Sequence, residues 1–136
     1  MENGKFYIML IDDNTDDNYF HEREIKKAAI NAVVIPKTSG EEALEYFKSK
    51  NEKNNPNPHL IFLDIHMPKM NGWEFLEEYS QLDAPFREHL IVVMLSTLND
   101  IESINRAKSW SFVVDYAIKP LTKQKLEEIK DKYIKL

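Results

Sequence analysis

The stretch Leu60-Ile61-Phe62-Leu63-Asp64, continued by Ile65-His66-Met67-Pro68-Lys69-Met70-Asn71-Gly72, decides the fold of this chain. Its first four residues form a short apolar run rich in strand-forming side chains, which is typical of a strand covered on both faces in a parallel sheet. Asp64 stands at the end of that strand. A helix start follows at Asn71, where Glu74 three residues later completes a capping box. The stretch therefore predicts one βα unit.

Similar apolar runs recur along the chain and alternate with segments of helical periodicity. The predicted strands are Phe6–Ile11, Val33–Ile35, Leu60–Leu63, Leu90–Leu95 and Phe112–Ile118. Pro36 is expected to stop the second strand, because proline has no N–H for a sheet ladder. Asp115, in the middle of the fifth run, favours an edge position in the sheet. Five βα units of this kind indicate an α/β fold with a parallel sheet.

The helix starts are predicted from capping residues. In chain order these caps are Ser39, Asn71, Asn99 and Thr122, and the first three are each followed three residues later by a glutamate. The first helix is predicted from about Thr15 to Ile30. Its expected buried face comprises Phe20, Ile25, Ala28 and Ala29.

Length and composition favour one compact domain over residues 1–136, with a core at about 6–134 and no output domain. The chain has 43% hydrophobic and 30% charged residues, which is ordinary for a globular protein. No apolar run reaches the roughly 20 residues of a membrane helix, and the N-terminus lacks a signal-peptide pattern, so a cytoplasmic location is expected. The absence of cysteine excludes disulfides and thiolate metal sites, and the net charge of -5 argues against nucleic-acid and membrane partners.

Several other residues favour structural roles. The polar stretch Lys50–Pro58, rich in asparagine and with two prolines, predicts a surface loop. Trp73 and Trp110 are expected to pack helices onto the sheet. The four histidines, namely His21, His59, His66 and His89, show no paired ligand spacing and are expected to be exposed or in loops.

Polar side chains follow four of the predicted strands. Asp12-Asp13 end the first, Asp64 the third, Ser96-Thr97 the fourth and Lys119-Pro120 the fifth. Ligands of open parallel sheets bind beyond the carboxyl ends of the strands, so these groups are expected to meet at one edge. An aspartate, a serine or a lysine alone at such a place is usually a cap, a turn residue or a solvated side chain. Their joint placement favours a functional site.

The chemistry of this set points to phosphoryl transfer assisted by Mg²⁺. Carboxylates held close together repel one another, and a hard divalent cation with oxygen ligands relieves that repulsion. An aspartate can act as the nucleophile toward phosphorus, with Lys119 as a second cation for the phosphoryl oxygens. Ser96 or Thr97 can donate a hydrogen bond to the phosphoryl group.

These residues resemble the receiver domain of two-component response regulators, over about Phe6 to Tyr133. Asp12-Asp13 correspond to the acidic pair of that family. The phosphoacceptor pattern Asp-x-x-Met-Pro-x-Met-x-Gly is found at residues 64–72. Lys119-Pro120 correspond to the Lys-Pro pair of the family, and Tyr116, three residues earlier, to its aromatic switch position.

The resemblance implies a doubly wound, flavodoxin-like sheet in the order 2-1-3-4-5, with Asp64 as phosphoacceptor. It implies Mg²⁺ held by Asp13, Asp64 and the carbonyl of His66, with Asp12 acting mainly through water. Ser96 takes the place of the switch hydroxyl, or Thr97 if the alignment shifts by one residue. The implied donor is a sensor histidine kinase or a histidine phosphotransfer protein, and the implied reader is a downstream target protein of unknown identity.

Three alternatives are compatible with parts of the pattern. A flavodoxin-like flavin-binding module has the same topology, but Asp12-Asp13-Asn14 would repel the flavin phosphate. A phosphohydrolase of the haloacid dehalogenase type also uses aspartate and magnesium, but neither Asp12 nor Asp64 is followed two residues later by the second aspartate that such enzymes carry. A degenerate receiver that binds proteins independently of phosphorylation is the remaining alternative, and the full set of acids, hydroxyl and lysine argues against it.

Overall fold

A computed structural model describes residues 5–28, 31–48, 56–82 and 90–134 of the chain. Four parts of the sequence-based predictions lie outside these ranges: the end of the first helix at residues 29–30, the loop residues 50–55, His89 and the two termini. Within the described ranges, no helix has both the length and the apolar character needed to cross a bilayer.

Five parallel strands form one sheet in the order β2-β1-β3-β4-β5. Their bounds are β1 Phe6–Ile11, β2 Ala32–Lys37, β3 Leu60–Asp64, β4 Ile91–Ser96 and β5 Val113–Ile118. All five residues of β3 are buried, as its uninterrupted apolar sequence predicts. Each predicted strand and the predicted strand order are confirmed, which places the carboxyl ends of β1, β3, β4 and β5 along one edge.

Two strands differ in detail from the predictions. Pro36 does not end β2, which continues through it to Lys37 with Pro36 opposite Leu10. An edge strand tolerates proline because one side of its backbone needs no ladder partner. The β4–β5 register shifts between Val92 and Val93, which leaves an extra residue in β5.

The described helices are α1 Thr15–Lys27, α2 Gly40–Lys48, α3 Gly72–Ser80, α4 Ile101–Ala107 and α5 Lys123–Tyr133. The caps at Asn71 and Thr122 are confirmed, and Ser39 Oγ accepts from the N–H of Glu42 at 3.0 Å. The cap predicted at Asn99 is wrong. Asp100 caps α4 instead, since its carboxylate accepts from both the N–H and the hydroxyl of Ser103.

The helices cover both faces of the sheet. On one face, α2 and α3 bury Phe47, Phe75 and Leu76 against the sheet. On the other face, Ile25 of α1 and Leu126 of α5 pack onto β1, β3 and β4. This double layer confirms the doubly wound architecture that the resemblance implies.

The aromatic and histidine positions are partly as predicted. The rings of Trp73 and Trp110 stack at 5.9 Å beside the α2–α3 side of the core, which agrees with a packing role. Phe20 was expected on the buried face of α1, but it is 43% exposed. His21 takes the inward position and is only 2% exposed, so the expectation of an exposed or loop histidine is wrong for His21. The inward face of α1 also carries Asn18 and is more polar than the periodicity of apolar residues predicted.

Candidate functional site

Three carboxylates meet at the carboxyl edge of the sheet. Asp12 and Asp13 directly follow β1 and Asp64 ends β3, and their nearest oxygens all lie within 4.8 Å of one another. Asp12 is 3% and Asp64 5% exposed, whereas Asp13 is open to solvent. The convergence predicted from the strand ends is thus present for all three aspartates.

The end of β1 is held in place by hydrogen bonds that the sequence analysis did not anticipate. The side-chain amide of Asn18, inside α1, donates to the carbonyl oxygens of Asp12 and Lys37, both at 3.1 Å. The Asn14 N–H donates to Asp12 Oδ1 at 3.0 Å. These contacts fix the backbone and the carboxylate of Asp12 before any ligand binds.

Lys119 joins the acidic group from the end of β5. Its ammonium nitrogen lies 2.7 Å from Asp12 Oδ2, 2.9 Å from Asp17 Oδ2 and 3.2 Å from Asp64 Oδ1. The Lys119 N–H also donates to the carbonyl oxygen of Ser96 at 2.9 Å, which ties the β5 end to β4. Lys119 is therefore a fixed cation inside the site, as predicted from its position after the fifth strand.

Burial and the neighbouring charges together shift the pKa values of Asp64 and Lys119. Burial, reinforced by the negative charge of Asp12, raises the pKa of Asp64 to about 6, although Lys119 acts in the opposite direction. Burial alone would lower the pKa of Lys119, but hydrogen bonds to Asp12 and Asp17 outweigh it and raise that pKa well above its usual range. Lys119 therefore stays a cation. The charged form of Asp64 is disfavoured by its surroundings, so an additional cation beside it would be stabilising.

The two predicted hydroxyl positions differ in burial. Ser96 is fully buried at the end of β4, and its Oγ accepts from the N–H of Leu98 at 3.0 Å, whereas Thr97 is exposed. Tyr116 donates its hydroxyl hydrogen to the carbonyl oxygen of Leu98 at 2.7 Å. Ser96 and Tyr116 thus both hydrogen-bond to the backbone of Leu98, Ser96 to the Leu98 N–H and Tyr116 to the Leu98 carbonyl oxygen. Their predicted role as a switch stays a prediction.

The loop after Asp64 is closed by backbone contacts. The Gly72 N–H donates to the carbonyl oxygen of Ile65 at 2.8 Å, and Lys69 has a positive φ of 67°. Met67 is buried in the core, while the side chain of His66 is exposed. His66 lies two residues after Asp64, and the role of its carbonyl oxygen as a metal ligand stays a prediction.

Besides Asn18, the sequence analysis missed two residues near the site. Asp17 contacts Lys119, and His21, one helical turn further along α1, is buried close enough for the charges of Lys119 and Asp17 to act on it. Burial first, and Lys119 next, lower the pKa of His21. A signal for Asp17 existed, because the first turn of α1 follows Asp12-Asp13 directly and must lie over the same edge.

The donor set fits a hard divalent cation. Asp12, Asp13, Asp17 and Asp64 carry four formal negative charges against one positive charge on Lys119, and the three clustered carboxylates offer only oxygen ligands. Mg²⁺ and Mn²⁺ prefer such ligands and neutralise such an excess. An exposed acid, Asp13, beside two buried ones also leaves a route to solvent.

Comparisons with known proteins agree with this geometry. The sequence model of the response regulator receiver domain matches residues 8–130. The probable methanogenesis regulatory protein FilR2 of Methanothrix harundinacea is 30% identical over 134 residues, which cover 95% of this chain and 84% of FilR2. A two-component response regulator from Cytophaga hutchinsonii superposes with a TM-score of 0.83 at 28% identity, covering 94% of this chain and 96% of its own.

Response regulator Rcp1 of Synechocystis is a further relative, 30% identical over 98 residues that cover 71% of this chain and 65% of Rcp1. The crystal structure of the Mn(2+)-bound form of Rcp1 superposes with a TM-score of 0.74 at 25% identity, covering 96% of this chain and 95% of that one.

Proposed function

The chain belongs to the response regulator receiver domain family of two-component signalling, and we propose that its Asp64 accepts a phosphoryl group from a sensor histidine kinase or a histidine phosphotransfer protein. The observation that carries this proposal is the position of Asp64. Its buried carboxylate lies beside Asp12 and Asp13, with the Lys119 ammonium 3.2 Å from one of its oxygens. A carboxylate so placed can attack phosphorus while a cation receives the phosphoryl oxygens.

The proposed reaction is a displacement at phosphorus. An oxygen of Asp64 forms a new P–O bond, and the P–N bond of the phosphohistidine donor breaks, with its electron pair leaving on the imidazole. The product is an aspartyl acyl phosphate, and water later attacks it to release inorganic phosphate and restore the carboxylate. Lys119 stands next to the oxygen that reacts, where it can stabilise the charge on the phosphoryl group.

We propose that Mg²⁺ is the resident metal, held by Asp12, Asp13 and Asp64, with the carbonyl oxygen of His66 as a further ligand. A bound divalent cation neutralises charge on the phosphoryl oxygens. The oxygen-only donor set supports this choice, as does the binding of Mn²⁺ by the related Rcp1.

The proposed output is a change in the surface next to Ser96 and Tyr116. A phosphoryl group on Asp64 attracts the Ser96 hydroxyl, which accepts from the Leu98 N–H, and so moves the backbone of Leu98, whose carbonyl oxygen accepts from Tyr116. Ile101, 69% exposed at the start of α4, lies on the surface that this movement would change for a target protein.

Phosphorylation by a small donor tests the assignment of Asp64. Incubation with acetyl phosphate and Mg²⁺ is expected to add one base-labile phosphoryl group, detected by intact mass. Asp64→Asn is expected to abolish the addition, while Asp16→Asn, which removes the same charge from an exposed site, keeps it. Equal labelling of the Asp64→Asn protein would remove Asp64 as acceptor, and an unlabelled wild type would instead favour a phosphorylation-independent binding module.

A further inference from the structure

We propose that Asp17 is a positioning residue for Lys119, which holds the ammonium group back from Asp64 before phosphoryl transfer. The proposal rests on the proposed function and adds a residue to it. Asp17 lies in the first turn of α1, four residues after the acidic pair, and its Oδ2 is 2.9 Å from Lys119 Nζ.

The hydrogen-bonding capacity of the ammonium group gives the first argument. A lysine ammonium has three N–H donors and no acceptor. In this site, three carboxylates surround it, and the distances are 2.7 Å to Asp12, 2.9 Å to Asp17 and 3.2 Å to Asp64. The two short contacts go to Asp12 and Asp17, and the longest goes to the proposed acceptor. The attraction of Asp17 thus keeps the ammonium group closer to the α1 side of the site than to Asp64.

The backbone of Asp17 is held in place, while its carboxylate is partly open to solvent. Its N–H donates to Asn14 Oδ1 at 3.1 Å, so the cap of α1 fixes its backbone. His21, one turn further along α1, is 2% exposed. The carboxylate of Asp17 itself is 37% exposed, whereas that of Asp12 is 4% exposed. Asp17 is therefore the outer of the two carboxylates that anchor Lys119.

The length of the ion pair between Lys119 and Asp64 affects how readily the Asp64 carboxylate attacks phosphorus. When acetyl phosphate is the donor, an Asp64 oxygen forms the P–O bond, and acetate leaves with the electrons of the P–O bond that breaks. A carboxylate oxygen in a short ion pair is a weaker nucleophile than one in a long ion pair. Without the charge of Asp17, Lys119 has one anion fewer to hold it and closes on Asp64, which slows the attack.

The kinetic test compares two aspartates of the same helical turn. Asp17→Asn is expected to lower the rate of Asp64 phosphorylation by acetyl phosphate about twofold to fivefold, in line with a partly exposed ion pair. Asp16→Asn removes an equal charge at the same helix end without a contact to Lys119 and is expected to keep the wild-type rate. Asp17→Glu restores the carboxylate and is expected to recover most of the loss. An Asp17→Asn rate equal to or above that of Asp16→Asn, or no recovery in Asp17→Glu, would overturn the proposal.

A second measurement separates this proposal from the proposed function. In the unphosphorylated protein, the ion pairs shield the ammonium hydrogens of Lys119 from exchange with water, so its ¹⁵N signal is expected in wild type and Asp16→Asn. We expect faster exchange and a shifted signal in Asp17→Asn. This readout needs no phosphoryl transfer, so an unchanged signal counts against the role of Asp17, whereas absent labelling of the wild type counts against the acceptor role of Asp64.

Discussion

Gly72 lies against the backbone of Asp64 so closely that a Cβ on Gly72 would stand 2.7 Å from the Asp64 carbonyl oxygen. A contact this short, with backbone rather than with a movable side chain, leaves no room for any other residue. The start of α3 and the proposed acceptor are therefore held in a fixed relation, with the Gly72 N–H also bonded to the Ile65 carbonyl oxygen.

Gly72→Ala is expected to lower the free energy of unfolding by about 1–3 kcal/mol, because the backbone after Asp64 must shift to make room. Gly40→Ala is a matched control in α2. Its added Cβ would meet the sulfur of Met70 at 2.8 Å, the end of a flexible side chain that can move away. Urea denaturation of both variants checks the difference, and equal stability of the two would contradict the backbone clash.

The raised pKa of Asp64 predicts how the stability of the metal-free protein depends on pH. The pKa is about 6 in the folded protein and 3.8 in the unfolded chain, so the folded state binds more protons between these values. Stability from this group is thus lost as pH rises from about 4 to 6, by on the order of 3 kcal/mol in total. Asp64→Asn should remove this loss and be the more stable protein at pH 7.

Urea unfolding in a metal chelator from pH 4 to 8 measures this effect. Asp16→Asn serves as the charge-matched control and is expected to follow the wild type. His21 contributes the opposite slope, because its lowered pKa makes the folded state lose stability as pH falls below 6.5. The contribution of His21 cancels when the free energy of unfolding of Asp64→Asn is subtracted from that of the wild type. If this difference did not change with pH, the raised pKa of Asp64 would be contradicted.

Asp13→Asn is expected to remove the stabilisation that Mg²⁺ gives to the wild type. A ligand at ten times its dissociation constant stabilises a folded protein by about 1.4 kcal/mol, or about 3–6 °C in Tm for a domain of this size. Thermal unfolding with and without Mg²⁺ gives the increment for each protein, so any change in metal-free stability drops out. An undiminished increment in Asp13→Asn would exclude Asp13 as a ligand.

Tyr116→Phe is expected to loosen the segment between β4 and α4, since it deletes the 2.7 Å hydrogen bond to the Leu98 carbonyl oxygen. The expected cost is about 1 kcal/mol, with faster amide hydrogen exchange confined to residues near Leu98. Tyr19→Phe, on a ring that is 60% exposed, is the control. Unchanged exchange near Leu98 would show that Tyr116 does not restrain this segment.

The elements that are specified by a clear local sequence pattern were predictable from the sequence. The uninterrupted apolar run of β3 and the capping box at Asn71 each reflect local physics, and the convergence of Asp12, Asp13, Asp64 and Lys119 follows from the parallel order of the strands. Details set by tertiary contacts were not predictable in this way. Pro36 is tolerated only because β2 lies at an edge, and the choice of Asp100 over Asn99 as a cap depends on where the chain turns.

The largest difference between the predicted and the observed structure is the polar inward face of α1. Hydrophobic periodicity placed Phe20 inside, but Asn18 and His21 are buried instead. The Asn18 amide donates there to the carbonyl oxygens of Asp12 and Lys37, which are brought together only once β1 and β2 are paired. The pairing of Asp17 with Lys119 joins residues 102 positions apart and likewise follows from the assembled sheet alone.

Among the residues that the structure describes, the two edge strands of the sheet, β2 and β5, each carry a residue that disfavours pairing with a further strand. Pro36 on β2 has no N–H to offer, and on β5 the outward N–H of Tyr116 is taken up by the carboxylate of its neighbour Asp115 at 2.8 Å. An added strand would find no N–H donor at Pro36 on the β2 edge, and at Tyr116 on the β5 edge it would find a donor that is already hydrogen-bonded. Pairing of a second copy of this chain at these two positions of the sheet edges is therefore disfavoured.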